Sequence, residues 1–87
     1  MLIRFFGPFE SLAEREAEIH LESPLTVGDL IERLSRHYPG MARYAEIRSD
    51  ADLSAHLVLL KEGRPLRWAD LVEDKDCLQI LLPATGG

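Results

Sequence analysis

Cys77-Leu78-Gln79-Ile80-Leu81-Leu82-Pro83-Ala84-Thr85-Gly86-Gly87 is the stretch around which the rest of the chain is organised. Its first six residues are apolar apart from Gln79. They form a last strand, with Leu78 and Ile80 inward and Gln79 and Leu81 outward. Apolar residues on both faces mark a strand with neighbours on each side, so this one is expected in the middle of a sheet. Pro83 has no backbone N–H and ends the ladder, while Gly86 and Gly87 accept almost any backbone conformation. The expected division is a folded body over 1–82 and a flexible tail over 83–87. A tail without bulky side chains suits a channel that admits only backbone, and a terminal carboxylate that is itself the reacting group. Two glycines at an end also describe ordinary fraying, so the remainder of the chain has to decide between the two.

The 87 residues are enough for one domain with one core. A hydrophobic content of 46% with 29% charged residues is that of a globular protein, neither disordered nor membrane-embedded. The net charge of -5 argues against nucleic acid as a partner, because phosphates require a basic face, and favours a protein. The single cysteine, Cys77, forms no internal disulfide, in keeping with a reducing cytoplasm. In a central strand it is expected to be a packing residue, and Asp74 and Asp76 nearby would raise its pKa rather than activate it. Met1 to Phe6 is too short an apolar run for a signal peptide or a membrane span, so a cytoplasmic location is expected.

Read from its start, the chain opens with a strand, Met1-Leu2-Ile3-Arg4-Phe5-Phe6, stopped by Gly7-Pro8. Met1, Ile3 and Phe5 share one face; Arg4 marks the other as the outer one and leaves Phe6 partly exposed. After a turn with Phe9 and Leu12, Glu16 to Glu22 alternates without a break, which predicts a half-buried strand with Ala17, Ile19 and Leu21 inward and His20 in solvent. Thr26 then opens a helix, with Asp29 three residues on and Leu25 and Leu30 at the staple positions. Val27, Leu30, Ile31, Leu34 and Tyr38 follow one helical face, Glu32 and Arg36 pair across one turn, and Pro39-Gly40 stops the run.

Residues 40 to 55 show no clear period and read as a long charged connection, anchored by Met41, Tyr44 and Ile47. Asp50 and Asp52 are too few ligands for a metal, and no metal site is expected. His56 to Leu60 is apolar on both faces and reads as a strand, followed by a turn at Lys61-Glu62-Gly63-Arg64 and a short edge strand at Pro65-Leu66. Arg67 to Val72 is expected as a compact turn or a single helical turn in which Trp68 or Leu71 covers one end of the core. The predicted fold class is α+β: a mixed sheet with one main helix across one face. Two strands followed by a helical crossover are how a β-grasp domain begins. Phe6, Leu81 and part of 57–60 would then form an apolar patch on the uncovered face, as partner-binding surfaces do.

The residues resemble the β-grasp, ubiquitin-like sulfur carriers, and among these the small subunit of molybdopterin synthase. The similarity lies in Ile3-Arg4-Phe5-Phe6-Gly7-Pro8-Phe9-Glu10-Ser11-Leu12, in Leu25-Thr26-Val27-Gly28-Asp29-Leu30-Ile31 at the helix start, and in the ending from Asp74-Lys75-Asp76 to Gly86-Gly87. Two positions depart from the family pattern: an Asn is frequent in the turn near Lys61-Glu62-Gly63, and a Gly where Lys75 stands.

The resemblance implies a non-catalytic carrier that binds no cofactor of its own. A ubiquitin-activating-like adenylyltransferase would use ATP to adenylate the Gly87 carboxylate, next to Gly86, and a thiocarboxylate would follow. With Phe6, Leu81, Pro83, Ala84 and Thr85 as the partner-binding residues, the tail would enter the large subunit of molybdopterin synthase and deliver sulfur to a pterin precursor. Carriers for cysteine, thiamine or tRNA thiolation, a protein modifier, and a binding-only ubiquitin-like module are the alternatives. Leu82-Pro83-Ala84-Thr85-Gly86 also spells a sortase-type sorting signal, but without the apolar segment and basic residues that would follow one.

Overall fold

A computed structural model describes residues 1–83. Strands β1 (Leu2–Phe5), β2 (Glu16–Glu18), β4 (Val58–Lys61), β5 (Arg64–Pro65) and β7 (Cys77–Leu81) form one mixed sheet in the order β2-β1-β7-β4-β5. The last strand is therefore central. It runs parallel to β1 and antiparallel to β4, with Ile3 opposite Leu78 and Leu59 opposite Ile80. The alternation along β7 is strict, with Leu78 and Ile80 buried and Cys77 and Gln79 exposed. Cys77 is thus an outer-face residue, contrary to the packing role expected of it. A central strand is enclosed by neighbours in the plane of the sheet, yet one of its faces can still meet solvent when the helices cover only the other.

The main helix, α2 (Val27–His37), packs on the inner face, and the mixed sheet with this helix across it is the expected β-grasp arrangement. Its start follows the sequence signal: the Thr26 hydroxyl oxygen accepts a hydrogen bond from the Asp29 N–H at 3.1 Å, satisfying one of the free donors of the first turn. Val27, Leu30, Ile31 and Leu34 are buried against Ile3, Phe5, Leu59, Leu78 and Ile80 in one cluster. Each large apolar side chain removed from water here contributes about 1.5–3 kcal/mol. Glu32 and Arg36 pair at 3.5 Å on the exposed side. At the C-terminal end, the Tyr38 hydroxyl donates to a carboxylate oxygen of Glu14. Burial first, and the adjacent Glu14 second, push the Tyr38 phenol up to about 12.

Four segments differ from expectation. The strand expected over Glu16 to Glu22 spans only Glu16–Glu18, and beyond it the Leu21 N–H bonds to the Asp74 carboxylate and not to a neighbouring strand. The turn after β1 is a short helix, α1 (Pro8–Leu12), that buries Phe9; Pro8 suits a first helical position, where no N–H is needed. The stretch read as a loop contains a 3-10 helix, Pro39–Glu46, and a further helix, α3 (Asp50–His56). Met41, Tyr44 and Ile47 are buried, as anchors should be, but the backbone between them is helical. The 3-10 helix packs closely enough on α1 that a Cβ at Gly40 would meet the Leu12 carbonyl oxygen at 2.3 Å. His56 closes α3 and does not open a strand.

Beyond β5 the chain forms a second, two-stranded sheet between β3 (Leu25–Thr26) and β6 (Leu71–Val72), where a compact turn was expected. Val72 is buried and Leu71 is exposed, so Trp68 is the residue that covers this end. Its indole lies where a Cβ on Gly28 would fall, 2.8 Å away, which reserves that first-turn position of α2 for glycine.

Candidate functional site

The uncovered face of the sheet is built by alternation. In β1 the outward residues are Leu2 and Arg4; in β7 they are Cys77, Gln79 and Leu81; in β4 they are Val58 and Leu60. Register aligns Leu2 with Cys77, Arg4 and Leu60 with Gln79, and Val58 with Leu81. Polarity changes along these rows. The rows nearer the start of β7 carry Leu2 and Cys77, then Arg4, Gln79 and Leu60, and the row at its end carries Val58 and Leu81.

Phe6 extends the apolar end. Its N–H donates to the Ile80 carbonyl at 2.9 Å, which holds it beside the last residues of β7, and its side chain is 43% exposed. Leu82, just past the strand, is 50% exposed, and Pro83 is half-buried. The structure thus brings together Phe6, Leu81 and Pro83 of the residues expected to bind a partner. Ala84, Thr85, Gly86 and Gly87 lie outside the described residues. Val58 and Leu82 join the surface; Val58 was hidden in the sequence because 56–60 is apolar throughout and gives no alternation from which to assign its face.

The far end of β7 is fixed by charge. Asp76 is buried, accepts from the Glu73 N–H at 2.7 Å and pairs with the Lys61 ammonium at 3.0 Å on the adjacent strand. Burial alone would raise its pKa, but the Glu73 N–H and Lys61 outweigh it and hold the carboxyl below its ordinary range. Asp74 accepts from the Leu21 N–H at 2.8 Å, with His20 and the Met1 ammonium nearby; chiefly through that N–H its pKa is lowered too. His20 therefore has an acidic neighbour, although its side chain remains exposed. Asp50 and Asp52, weighed as a cation pair, instead accept backbone N–H groups: Trp68 for Asp50 and Arg48 for Asp52. Among the described residues no three His, Cys, Asp or Glu side chains converge as metal ligands, and no helix is long and apolar enough to cross a membrane.

Similar proteins share this architecture. A Haloferax volcanii protein named small archaeal modifier protein 3 is 28% identical over 90 residues, covering 98% of this chain and 96% of its own. Among solved structures, a Pyrococcus furiosus protein described as a candidate molybdopterin converting factor, subunit 1, superposes with a TM-score of 0.74 at 24% identity over 95% of both chains. SAMP1 of Haloferax volcanii superposes with a TM-score of 0.73 at 22% identity, over 99% of this chain and 97% of that one. These two structures speak to the fold. The ThiS family model matches residues 3–87, from the first strand through the glycine pair, and the chain belongs to the ThiS family of β-grasp sulfur carriers.

Proposed function

We propose that this chain carries sulfur as a thiocarboxylate on Gly87 and donates it to a pterin precursor in molybdopterin biosynthesis. The observation that supports this most is the course of the central strand. It ends beside an apolar surface of Phe6, Val58, Leu81 and Leu82, and the family match continues from it to residue 87. The body would dock through that surface while the chain beyond Pro83 enters the partner's active site.

Chemistry explains the need for activation. A carboxylate is a poor electrophile. Attack of a Gly87 oxygen on the α-phosphorus of ATP releases pyrophosphate and leaves an acyl adenylate, and a sulfur nucleophile then forms the C–S bond as the C–O bond to AMP breaks. The resulting thioacid is an anion at neutral pH and a better nucleophile than the carboxylate it replaces. In this scheme the carrier provides the reacting atom and no catalytic side chain; the adenylyltransferase and the large synthase subunit provide ATP binding, bases and anion stabilisation. With such partners and ATP the reaction would be a cytoplasmic one.

Conjugation to protein lysines is a second reading, favoured by the similarity to a small archaeal modifier protein over nearly the whole chain. Both routes begin with the adenylate and divide at the nucleophile. Incubation with ATP, an activating enzyme and a sulfur donor should add about 16 Da at the C-terminus, the replacement of oxygen by sulfur. Absence of that species, with adducts to lysine formed instead, would favour the modifier. Removal of Gly87 should abolish either product without loss of fold.

A further inference from the structure

The sheet has an open edge at β2, and a groove runs beside it. Arg15 accepts from the Phe5 N–H at 3.0 Å, Ile19 donates to the Met1 carbonyl at 2.8 Å, and Ala17 lies opposite Ile3. The alternation of an antiparallel pair therefore turns the backbone N–H and C=O of Glu16 and Glu18 away from β1. Among the described residues no strand of the sheet lies beyond them.

The groove, about 470 Å³, is lined by Ala17 and Ile19 of the strand side and by Arg33, Leu34, His37 and Tyr38 of α2. Ala17 and Leu34 are buried and Ile19 and Tyr38 half-buried, so its deep part is apolar. Its strand-side rim is acidic, formed by Glu14, Glu16 and Glu18, while Arg33 and His37 stand on the helix side. Glu14 is engaged by Tyr38 and Glu16 by Arg4 at 3.1 Å; Glu18 has no ion pair among the described residues.

We propose that this edge and groove bind an extended peptide segment that alternates basic and apolar residues and adds to β2 as a sixth strand. Outward donors and acceptors at Glu16 and Glu18 supply the ladder, as in other cases of strand addition. The period of two supplies the pattern. Residues of the added strand on the Glu16 and Glu18 side lie beside carboxylates and are best basic, while the alternate residues enter the groove and are best apolar. A second copy of this chain is disfavoured as the occupant, because pairing β2 with β2 would set Glu16 and Glu18 against the same carboxylates.

The test is a titration of the ¹⁵N-labelled full chain with a synthetic decapeptide alternating lysine with isoleucine and valine, and with its glutamate-for-lysine counterpart. Expected are chemical-shift changes confined to residues 14–20 and 33–38, with slowed exchange of the Glu16 and Glu18 amides, for the lysine peptide alone. Glu18→Lys should weaken binding roughly tenfold, the effect of replacing an attractive cross-strand pair with a repulsive one. Glu18→Pro removes an outward donor at an edge position that tolerates proline and should weaken it as well, with thermal melting as the check on folding. Equal binding of both peptides, shifts centred on Phe6 and Leu81, or no shifts at all would overturn the proposal.

Discussion

At Glu62 the backbone takes φ 52°, followed by Gly63 at φ 78°. Lys61 pairs with Arg64, so Glu62 and Gly63 are a two-residue hairpin loop, in which both central residues need positive φ. Gly63 adopts that conformation freely, whereas Glu62 places a Cβ where L-residues are strained. Glu62 is thus the strained residue of this turn. Glu62→Asn should stabilise the protein by about 0.5–1 kcal/mol, raising Tm by roughly 3–6 °C in a calorimetric scan. Asp76 is a residue of the opposite kind, indispensable because it is buried and paired. Asp76→Ala leaves the Glu73 N–H and Lys61 without their acceptor and should cost about 2 kcal/mol, read as a lower urea midpoint. Because folding depresses the Asp76 pKa from 3.8, its contribution is present above that pH and is lost as pH falls below it. Urea midpoints of the wild type should therefore drop on acidification through this range, and those of Asp76→Ala should drop less.

Among the elements, α2 and α3 carry the same start signal. Ser49 accepts from the Asp52 N–H at 3.1 Å, as Thr26 accepts from the Asp29 N–H. Ser49-Asp50-Ala51-Asp52 thus holds a helix start within the stretch that reads as a loop, because only Leu53 of α3 is buried and no apolar period follows to reinforce it. The helix is held by its cap and by the Asp50 contact to the Trp68 N–H at 2.7 Å. Thr26→Ala should cost about 1 kcal/mol globally. Ser49→Ala should instead raise amide exchange locally over residues 50–56, because so little apolar surface ties α3 to the rest. A fall in global stability as large as that of Thr26→Ala would contradict this difference.

For the whole molecule, the layer arrangement separates what holds the fold from what remains available. The inner face of the sheet is buried against α2, and the outer face ends in Phe6, Val58, Leu81 and Leu82. Leu81→Asp should leave Tm within a few degrees, because the side chain is only half-buried on the outer face, and should weaken binding to an activating enzyme in a pull-down or titration calorimetry. Severe unfolding would mean that Leu81 supports the core instead.

Alternation and capping are local, and where a buried face or a hydroxyl cap was reinforced by an apolar period the sequence alone determined which residues face the core. That holds for Ile3 and Phe5 inward, for Ala17 and Leu21, for α2 from Thr26 onward, and for the central place of β7. The tertiary structure decided what depends on partners distant along the chain. A pair as short as β3 and β6 has no period of its own and exists because Leu25 meets Val72. The exposure of Cys77 follows from the helices covering only the other face of β7, and the buried charge of Asp76 from the approach of Lys61 on β4. The open edge of β2 is likewise a matter of strand order, since a strand's sequence specifies which side chains face the core but not whether another strand stands beside it.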